Sequence, residues 1–257
     1  MKFPRISVVT PSFNQAKYIR ATIDSVLSQN YPELEYIVMD GGSTDGTLEI
    51  LKSYGDRLKW VSQKDKGQAD AINQGLSMTT GDLVAYLNSD DIYLDGALKI
   101  VGEYFARTKT DWITGDCLTI DENGHKLRHN WIFSWYKRFL MRIYSPLTLR
   151  LADSMLPQPS TFWSRSAYKR VGDFDLKYNY ALDYDYWLRM ANYYKPHDLR
   201  VALSGFRFQK DSKSQTGRTK LMAEGMIALR ENGARGWELF VHKLHSNLTL
   251  FIYRLLK

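Results

Sequence analysis

The sequence predicts an α/β fold with a mainly parallel, doubly wound sheet and helices on both faces. The first observation is a repeated strand-turn-helix order in the amino-terminal half, which is typical of such sheets. The second is that glycine, asparagine and aspartate follow the predicted strands, at the sheet edge where open α/β sheets bind ligands. The third is length, because 257 residues can bury the core of one such domain.

The predicted elements of the amino-terminal half alternate in type. Short apolar runs that end in turn residues indicate strands, and apolar residues at helical spacing indicate helices. Strands are predicted at 6–10, 35–39, 58–62 and 83–87, and helices at 16–29, at a short segment ending near 54, at 68–78 and at 95–105.

The carboxyl-terminal half is less regular. Its predicted elements are short strands at 111–114 and 117–120, a hairpin turn at 121–124, a basic aromatic helix at 133–143, a helix at 183–191 and two helices after Ser214. No segment has the composition of a flexible linker. We therefore expect one main domain over residues 1–220, and a helical extension over residues 221–257 that packs on it, on a membrane or on a partner.

Composition excludes several classes of protein. The hydrophobic content of 44% argues against disorder, and one cysteine, Cys117, excludes an internal disulfide framework. The amino terminus reads as the start of a strand and not as a cleavable signal, which favours a reducing, cytoplasmic location. The most apolar stretch, 239–256, is interrupted by charged and histidine residues, so no segment is predicted to span a bilayer.

The net charge of +7 is concentrated in one segment. No acidic residue lies between Glu122 and Asp153, where aromatic residues alternate with six cations: Lys126, Arg128, Lys137, Arg138, Arg142 and Arg150. This pattern resembles a basic amphipathic surface for anionic lipid head groups or an anionic acceptor, with peripheral contact at the inner face of the cell membrane. An ordinary half-buried helix explains it equally well. Nucleic acid is not expected as a partner, because no nucleic-acid motif accompanies the charge.

The most informative motif is Asn88-Ser89-Asp90-Asp91, directly after the predicted strand at 83–87. Adjacent carboxylates at the carboxyl end of a strand suit a divalent cation that holds a diphosphate. Taken alone, the motif is better explained as an Asx-rich turn that caps the next helix. Residues after the first and second strands, at 11–14 and Asp40, are expected to converge with it on one crevice.

The motifs of this chain resemble those of family 2 glycosyltransferases in their order and spacing. The resemblance extends over about four fifths of the chain, through the segments 7–14, 40–47, 67–73, 88–91, 158–162, 172–175, 182–188 and 207–214. It implies a GT-A fold with an acceptor-side carboxyl-terminal half and a nucleotide-diphosphate sugar donor. It also implies a divalent cation, Mn²⁺ or Mg²⁺, and transfer with inversion at the anomeric carbon.

The resemblance also implies roles for individual residues. Asp90 aligns with the metal-binding aspartate, Asp91 is a second ligand or orients that site, and Asp183 aligns with the catalytic base. The remaining matches are expected in the donor site, together with Asp90: Pro11, Ser12, Asn14, Asp40, Asp70, Asn88, Ser89 and Arg207. Interaction with the helix dipole is the alternative for Asp70, helix capping is the alternative for Asp183, and a surface cation is the alternative for Arg207.

Three positions depart from the family pattern, since Gly41, Asn88 and Gln209 replace groups that relatives often use. We expect an inverting transferase that modifies a hydroxyl of a glycan or lipid-linked acceptor in surface polysaccharide biosynthesis. The departures keep a second interpretation open, a non-catalytic nucleotide-sugar-binding or scaffolding subunit of a polysaccharide assembly complex. The sequence does not specify the donor base, the acceptor or the oligomeric state.

Overall fold

A computed structural model describes residues 3–127, 130–152, 156–209 and 217–255. The strands, numbered in chain order, are β1 (Ile6–Ser12), β2 (Leu34–Asp40), β3 (Lys59–Ser62), β4 (Leu83–Tyr86), β5 (Ile92–Tyr93), β6 (Trp112–Ile120), β7 (Thr161–Ser164) and β8 (His197–Arg207). The helices are α1 (Ile19–Leu27), α2 (Thr47–Ser53), α3 (Gln68–Met78), α4 (Ala97–Thr108), α5 (Asn130–Arg142), α6 (Pro146–Leu151), α7 (Arg165–Val171), α8 (Leu182–Met190), α9 (Arg218–Glu231) and α10 (Gly236–Leu255).

The strands form one eight-stranded sheet in the order β3-β2-β1-β4-β7-β6-β8-β5. The neighbours β3, β2, β1 and β4 are parallel, as the alternating sequence predicts. Beyond them β7 is antiparallel to both β4 and β6, β6 is parallel to β8, and β5 is antiparallel to β8. The predicted α/β class and mainly parallel sheet are confirmed.

Side chains on alternate positions of the central strands enter two separate cores. Val9, Ile37 and Val84 pack on one face of the sheet with residues of α3 and α8. Their neighbours Val8 and Val38 pack on the other face with α1 and α4. Because successive side chains of a strand point to opposite faces, a strand buried on both sides reads as a continuous apolar run. The sheet is therefore covered by helices on both faces.

The structure corrects the prediction of two strands at 111–114 and 117–120. Both belong to β6, whose pairing with β8 shifts register between Thr114 and Asp116 and again between Asp116 and Cys117. Such a bulge bends a strand without ending it, so the irregular sequence pattern there imitates a strand break. The predicted hairpin turn at 121–124 is confirmed, because an antiparallel bridge joins Ile120 to Lys126.

Two basic residues of α5 form ion pairs with acids of the sheet, and one of them is buried. Lys137 is buried, and its Nζ lies 3.2 Å from both Asp116 Oδ1 and Asp198 Oδ1 and donates to Gly115 O at 2.7 Å. Arg138 Nη2 lies 2.6 Å from Asp116 Oδ2. The prediction of an open basic surface is wrong for Lys137, which follows the alternative of a half-buried helix, whereas Arg138 remains exposed. Arg128 lies outside the described residues.

The carboxyl-terminal helices pack on the same domain. Ala228 and Leu229 of α9 share a core with Tyr184 and Trp187 of α8, and Arg150 of α6 lies 3.7 Å from Glu238 of α10. Within the described residues, no helix combines the length and apolar character needed to cross a bilayer. The division at residue 220 stays a prediction.

Replacing Lys137 by methionine is expected to lower the free energy of unfolding by about 3–5 kcal/mol, because the change leaves the buried Asp198 carboxylate without its cation beside the charged Asp116. Urea unfolding followed by circular dichroism measures the loss. Arg142→Met, at an exposed position on the same helix, is the matched control and is expected to change stability by less than about 0.5 kcal/mol. Equal stability of the two variants would contradict the buried ion pairs.

Candidate active site

The carboxyl ends of β1, β2 and β4 lie side by side and form a crevice. Ser12 is in register with Asp40, and Val9 is in register with Tyr86. The pairing continues past the strands, because Gly41 N–H donates to Ser12 O at 2.8 Å and Leu87 N–H donates to Val9 O at 2.9 Å. The loops that follow these three strands therefore meet at one edge of the sheet.

The loops after β1 and β2 are joined by hydrogen bonds. Asn14 N–H donates to Ser43 Oγ at 2.7 Å, and Asn14 Oδ1 accepts from Thr44 N–H at 2.9 Å. Pro11 and Ser12 are buried at the end of β1, and Ser12 Oγ has no hydrogen-bond partner within the described part of the chain. A buried hydroxyl without a partner at the crevice is suited to meet a polar ligand atom.

Asp40 is buried, and protein groups occupy its carboxylate. Oδ2 accepts from Gly42 N–H at 3.1 Å, Ser43 N–H at 3.0 Å and Ser62 Oγ at 2.7 Å. Oδ1 accepts from Ser43 Oγ. These bonds hold the glycine-rich turn in shape and tie it to β3. The predicted contact between Asp40 and a nucleotide stays a prediction, and the described contacts give this carboxylate a structural role.

The loop after β4 carries two neighbouring carboxyl groups in different surroundings. Asp91 is 1% exposed, and its Oδ1 and Oδ2 accept from Arg207 N–H at 2.9 Å and from Asn88 Nδ2 at 3.3 Å. Asp90 is partly exposed, and its Oδ2 accepts from Gln209 Nε2 at 2.7 Å. Ser89, which precedes Asp90 in the motif, is buried. Asp90 is therefore the member of the pair that a ligand can reach.

Burial raises the pKa of both carboxyl groups of this pair. Loss of solvent raises the pKa of Asp90, and loss of solvent together with the Asp90 charge raises the pKa of Asp91 well above its ordinary range. A cation bound here would offset both effects. Hard oxygen donors fit Mg²⁺ or Mn²⁺, which take one or two protein carboxylates and complete their shell with phosphate and water. The described residues contain no cluster of three or more acidic, histidine or cysteine ligands, so a cation would need such outside ligands.

Arg207, at the end of β8, is buried and braces the acidic loop. Its Nε donates to Asp90 O at 2.8 Å, and its Nη1 donates to Asp121 O at 3.0 Å and Glu122 O at 2.8 Å. The guanidinium also lies 5.1 Å from the centre of the Tyr18 ring. Its predicted contact with a donor diphosphate stays a prediction, since the described hydrogen bonds of the guanidinium all go to backbone carbonyl oxygens.

A chain of amide side chains crosses the base of the crevice. Gln68 Nε2 donates to Asn88 Oδ1 at 2.8 Å, Asn88 Nδ2 donates to Gln158 Oε1 at 3.2 Å, and Gln158 Nε2 donates to Tyr86 O at 2.6 Å. Sequence reasoning placed Asn88 here but missed Gln68 and Gln158 as site residues. Both lie within motifs of the family resemblance, and that was the available signal.

Asp183 stands in the first turn of α8 and is partly exposed. Its Oδ1 accepts from Tyr184 N–H at 2.8 Å. Burial raises the pKa of the Tyr86 hydroxyl well above its ordinary value, and the charges of Asp183 and Asp91 add to the effect. Tyr86 of β4 and Leu182 of α8 lie in the same core, so α8 packs on the face of the sheet that carries Tyr86.

The other predicted helix-start acids make local contacts. Asp185 is buried, with Oδ2 2.9 Å from Arg189 Nε and Oδ1 3.1 Å from Asn232 Nδ2, so it points away from the crevice as its helical position predicts. Asp70 Oδ2 accepts from Lys66 N–H at 2.9 Å and from Gln74 Nε2 at 3.0 Å. Capping is thus an observed role of Asp70, and its donor contact stays a prediction.

Curated glycosyltransferases match this chain in sequence. An uncharacterized glycosyltransferase of Rickettsia typhi is 27% identical over 203 residues, which is 77% of this chain and 63% of the relative, so the chain spans less than two thirds of that protein. A PGL/p-HBAD biosynthesis glycosyltransferase of Mycobacterium tuberculosis is 28% identical over 195 residues, covering 74% of this chain and 70% of the relative.

Solved structures show the same fold. Residues 1–349 of Staphylococcus aureus TarS, in complex with UDP-GlcNAc, superpose with a TM-score of 0.66 at 17% identity, covering 94% of this chain and 71% of that one. The mannosyltransferase PcManGT of Pyrobaculum calidifontis, in complex with GDP-Man and Mn²⁺, gives a TM-score of 0.72 at 20% identity, covering 96% and 70%. These likenesses confirm the expected GT-A fold.

The family model "Glycosyl transferase family 2" matches residues 7–172, which include the loops after β1, β2 and β4 and the amide chain. The match spans well over half of the chain, and its motifs are the ones that the structure gathers at the crevice. This protein is therefore a member of glycosyl transferase family 2.

Proposed function

We propose that this protein is an inverting glycosyltransferase that moves a sugar from a nucleotide-diphosphate donor to a hydroxyl of a glycan or lipid-linked acceptor in surface polysaccharide biosynthesis. The proposal rests on two partly exposed carboxylates: Asp90 follows β4 directly, and Asp183 lies in the first turn of α8, which shares a core with Tyr86 of β4. The TarS and PcManGT complexes, with UDP-GlcNAc and with GDP-Man and Mn²⁺, support a nucleotide-sugar donor. The name of the mycobacterial relative supports a role in glycan assembly.

Asp90 is the residue proposed to hold a divalent cation. A bound cation supplies Lewis-acid stabilisation of the negative charge that develops on a departing diphosphate. Asp91 orients the loop, because both of its oxygens accept hydrogen bonds from the protein. Asn88 contributes an amide in place of a charge, and Gln209 fixes one oxygen of Asp90.

Asp183 is proposed as the general base. In a single displacement, the acceptor oxygen bonds to the anomeric carbon as the bond from that carbon to the diphosphate breaks, and the hydroxyl proton passes to a carboxylate. Asp183 suits this role because it is partly exposed in the first turn of α8, whereas Asp185 is buried between Arg189 and Asn232. Glu224 of α9 accepts the backbone N–H groups of residues 179–181 at 2.7–3.0 Å and so fixes the start of α8.

The acceptor side is proposed to contact an anionic membrane surface, at the inner face of the cell membrane in a cytoplasmic protein. Five large apolar residues of α10 are exposed by 50–69% and follow one another at intervals of three or four residues, so they form one stripe: Trp237, Phe240, Leu244, Leu248 and Phe251. The acidic residue of this helix, Glu238, is buried, whereas Lys243 is exposed. An apolar stripe bordered by positive charge complements anionic lipids.

Asp183→Asn is expected to lower donor turnover by about 10²- to 10⁴-fold, because the variant cannot accept the hydroxyl proton. The assay measures donor hydrolysis and binding for UDP-, GDP-, dTDP- and CDP-sugars with Mn²⁺ or Mg²⁺. Donor affinity is expected to stay within about twofold, since the base acts only during transfer.

The exposed Asp56, before β3, provides the control Asp56→Asn, which is expected to behave as wild type. Wild-type turnover in Asp183→Asn would reject Asp183 as base. If the wild-type protein binds a donor in a metal-dependent way but turns over none of the donors tested, the result would favour the non-catalytic binding subunit.

Asp90→Asn is expected to abolish stabilisation by a donor nucleotide with Mn²⁺, because the variant replaces the accessible carboxylate. Thermal unfolding is measured with nucleotide and Mn²⁺, with nucleotide and a chelator, and without either. A ligand at about 100 times its Kd adds about 2.7 kcal/mol to stability, which a wild-type melting curve resolves. A metal-dependent shift that survives in Asp90→Asn would show that the cation is held elsewhere.

The double variant Phe240→Ser/Leu244→Ser is expected to lose binding to anionic phosphatidylglycerol vesicles at low salt, because it removes about 3 kcal/mol or more of apolar burial. Flotation measures the bound fraction, and vesicles of phosphatidylcholine alone test the role of lipid charge. Ile100→Ser, at an exposed apolar position on α4, is the control. A wild-type protein that does not float, or that forms a dimer lost in the double variant, would contradict membrane contact.

A further inference from the structure

The segment that leads into α8 is held by a single carboxylate of α9. Glu224 Oε2 accepts the backbone N–H groups of Asn179, Tyr180 and Ala181 at 2.9, 2.7 and 3.0 Å. Hydrogen bonds to a charged acceptor are about twice as strong as bonds between neutral groups. Ala181, which precedes the first helical residue, provides no side-chain cap of its own. Glu224 therefore sets the direction in which the chain enters α8.

The residues after Asp183 are held by the same part of the chain. The buried Tyr184 ring lies 5.7 Å from the His242 ring of α10, with an angle of 26° between the two planes. Asp185 Oδ1 accepts from Nδ2 of Asn232, the residue that follows α9, at 3.1 Å. The residues on both sides of Asp183 thus contact the carboxyl-terminal helices or the turn between them.

These contacts fix the helical turn that carries the Asp183 carboxylate. Asp183 is the second residue of α8, so a tilt or rotation of the first turn moves its side chain directly. A displacement of about 1 Å at a reacting group can lower a rate about 10²-fold. Family membership by itself assigns no role to these contacts, because the match to the family model ends at residue 172, before α8 begins.

We propose that Glu224 is a positioning residue for glycosyl transfer, which holds the start of α8 so that Asp183 meets the acceptor hydroxyl. The inference rests on the proposed role of Asp183 as general base. Glu224 does not contact the reacting atoms, and the hydroxyl proton passes to Asp183. The carboxyl-terminal helices α9 and α10 therefore complete the acceptor side of the site, in addition to covering the core.

The first test compares Glu224→Ala with Glu224→Gln. Hydrolysis of the sugar nucleotide that the wild type turns over gives kcat, and calorimetry with the matching nucleoside diphosphate and Mn²⁺ gives the affinity. Glu224→Ala is expected to lower kcat about 10- to 100-fold, because the first turn of α8 loses its support. Nucleotide affinity is expected to stay within about twofold, since the base acts only during transfer.

Two further variants control this comparison. Glu224→Gln is expected to recover kcat to within about threefold of the wild type, because its amide oxygen still accepts the three N–H groups. Glu103→Ala, at an exposed position of α4, is the matched control for the loss of a glutamate and is expected to behave as wild type.

The second test asks whether Glu224 acts through Asp183. Losses at independent sites multiply, whereas losses that act through one group do not. The double variant Asp183→Asn/Glu224→Ala is therefore expected to turn over donor within about twofold of Asp183→Asn alone. A residue that only stabilised the packing of α9 on α8 would lower turnover by the same factor in both backgrounds.

Circular dichroism and the stoichiometry of nucleotide binding measure the folded fraction of each variant. If Glu224→Ala does not fold, Glu224→Asp replaces it in both tests, because it keeps the charge and withdraws the carboxylate by one methylene. Wild-type kcat in the substituted protein, or a full further loss in the double variant, would overturn the positioning role and leave the transferase intact. A wild type that turns over no donor, or wild-type turnover in Asp183→Asn, would contradict the proposed function of Asp183 and this inference with it.

Discussion

The geometry of the crevice depends on one buried arginine. Arg207 joins the acidic loop after β4 to the hairpin after β6, through three carbonyl oxygens and through its own N–H to Asp91. A buried guanidinium is tolerated only where acceptors surround it, since an unpaired buried charge costs several kcal/mol. The end of β8, the acidic loop and the hairpin therefore fix one another's positions. The exposure of Asp90 and the burial of Asp91 both follow from this arrangement.

Opposite sides of the site come from different kinds of element. The sheet supplies Asp90 at the end of a strand with a rigid, doubly covered backbone. The helix α8 supplies Asp183, and Glu224 of α9 satisfies the backbone N–H groups that precede that helix. Side chains on strands and helices keep their positions better than side chains on loops. A displacement reaction depends on such fixed positions, because the reacting groups must be aligned before the transition state is reached. The packing of α9 on α8 thus bears directly on the proposed base.

The α5 helix shows that the net charge of a segment does not tell which of its charged residues are exposed. Trp135 and Phe139 are exposed by 67% and 47%, whereas Lys137 is buried between Asp116 and Asp198. The charged residue is inside because strands β6 and β8 bring two acids together beneath the helix, and a lysine there removes the cost of two like charges. The two aromatic residues remain outside. The described surface of α5 is therefore less basic and more apolar than the composition of the segment indicates.

The sequence by itself determined the strands β1 to β4, the helices between them and the loops expected to converge on one crevice. These features follow from the spacing of apolar residues and from the residue types in turns, which are local properties of the chain. It also determined the membership of the family, through motifs whose order is legible without a structure. Only the tertiary structure decided which acids are accessible: Asp40 is bound by its own turn and by Ser62 of β3, Asp91 accepts from Arg207 and Asn88, and Asp90 stays partly exposed. It alone revealed the pairing of β5, β7 and β8 and the link from Asn88 to Gln158, 70 residues apart. Such contacts depend on which strands become neighbours. The strand order results from the simultaneous packing of both cores, and no local sequence pattern specifies it.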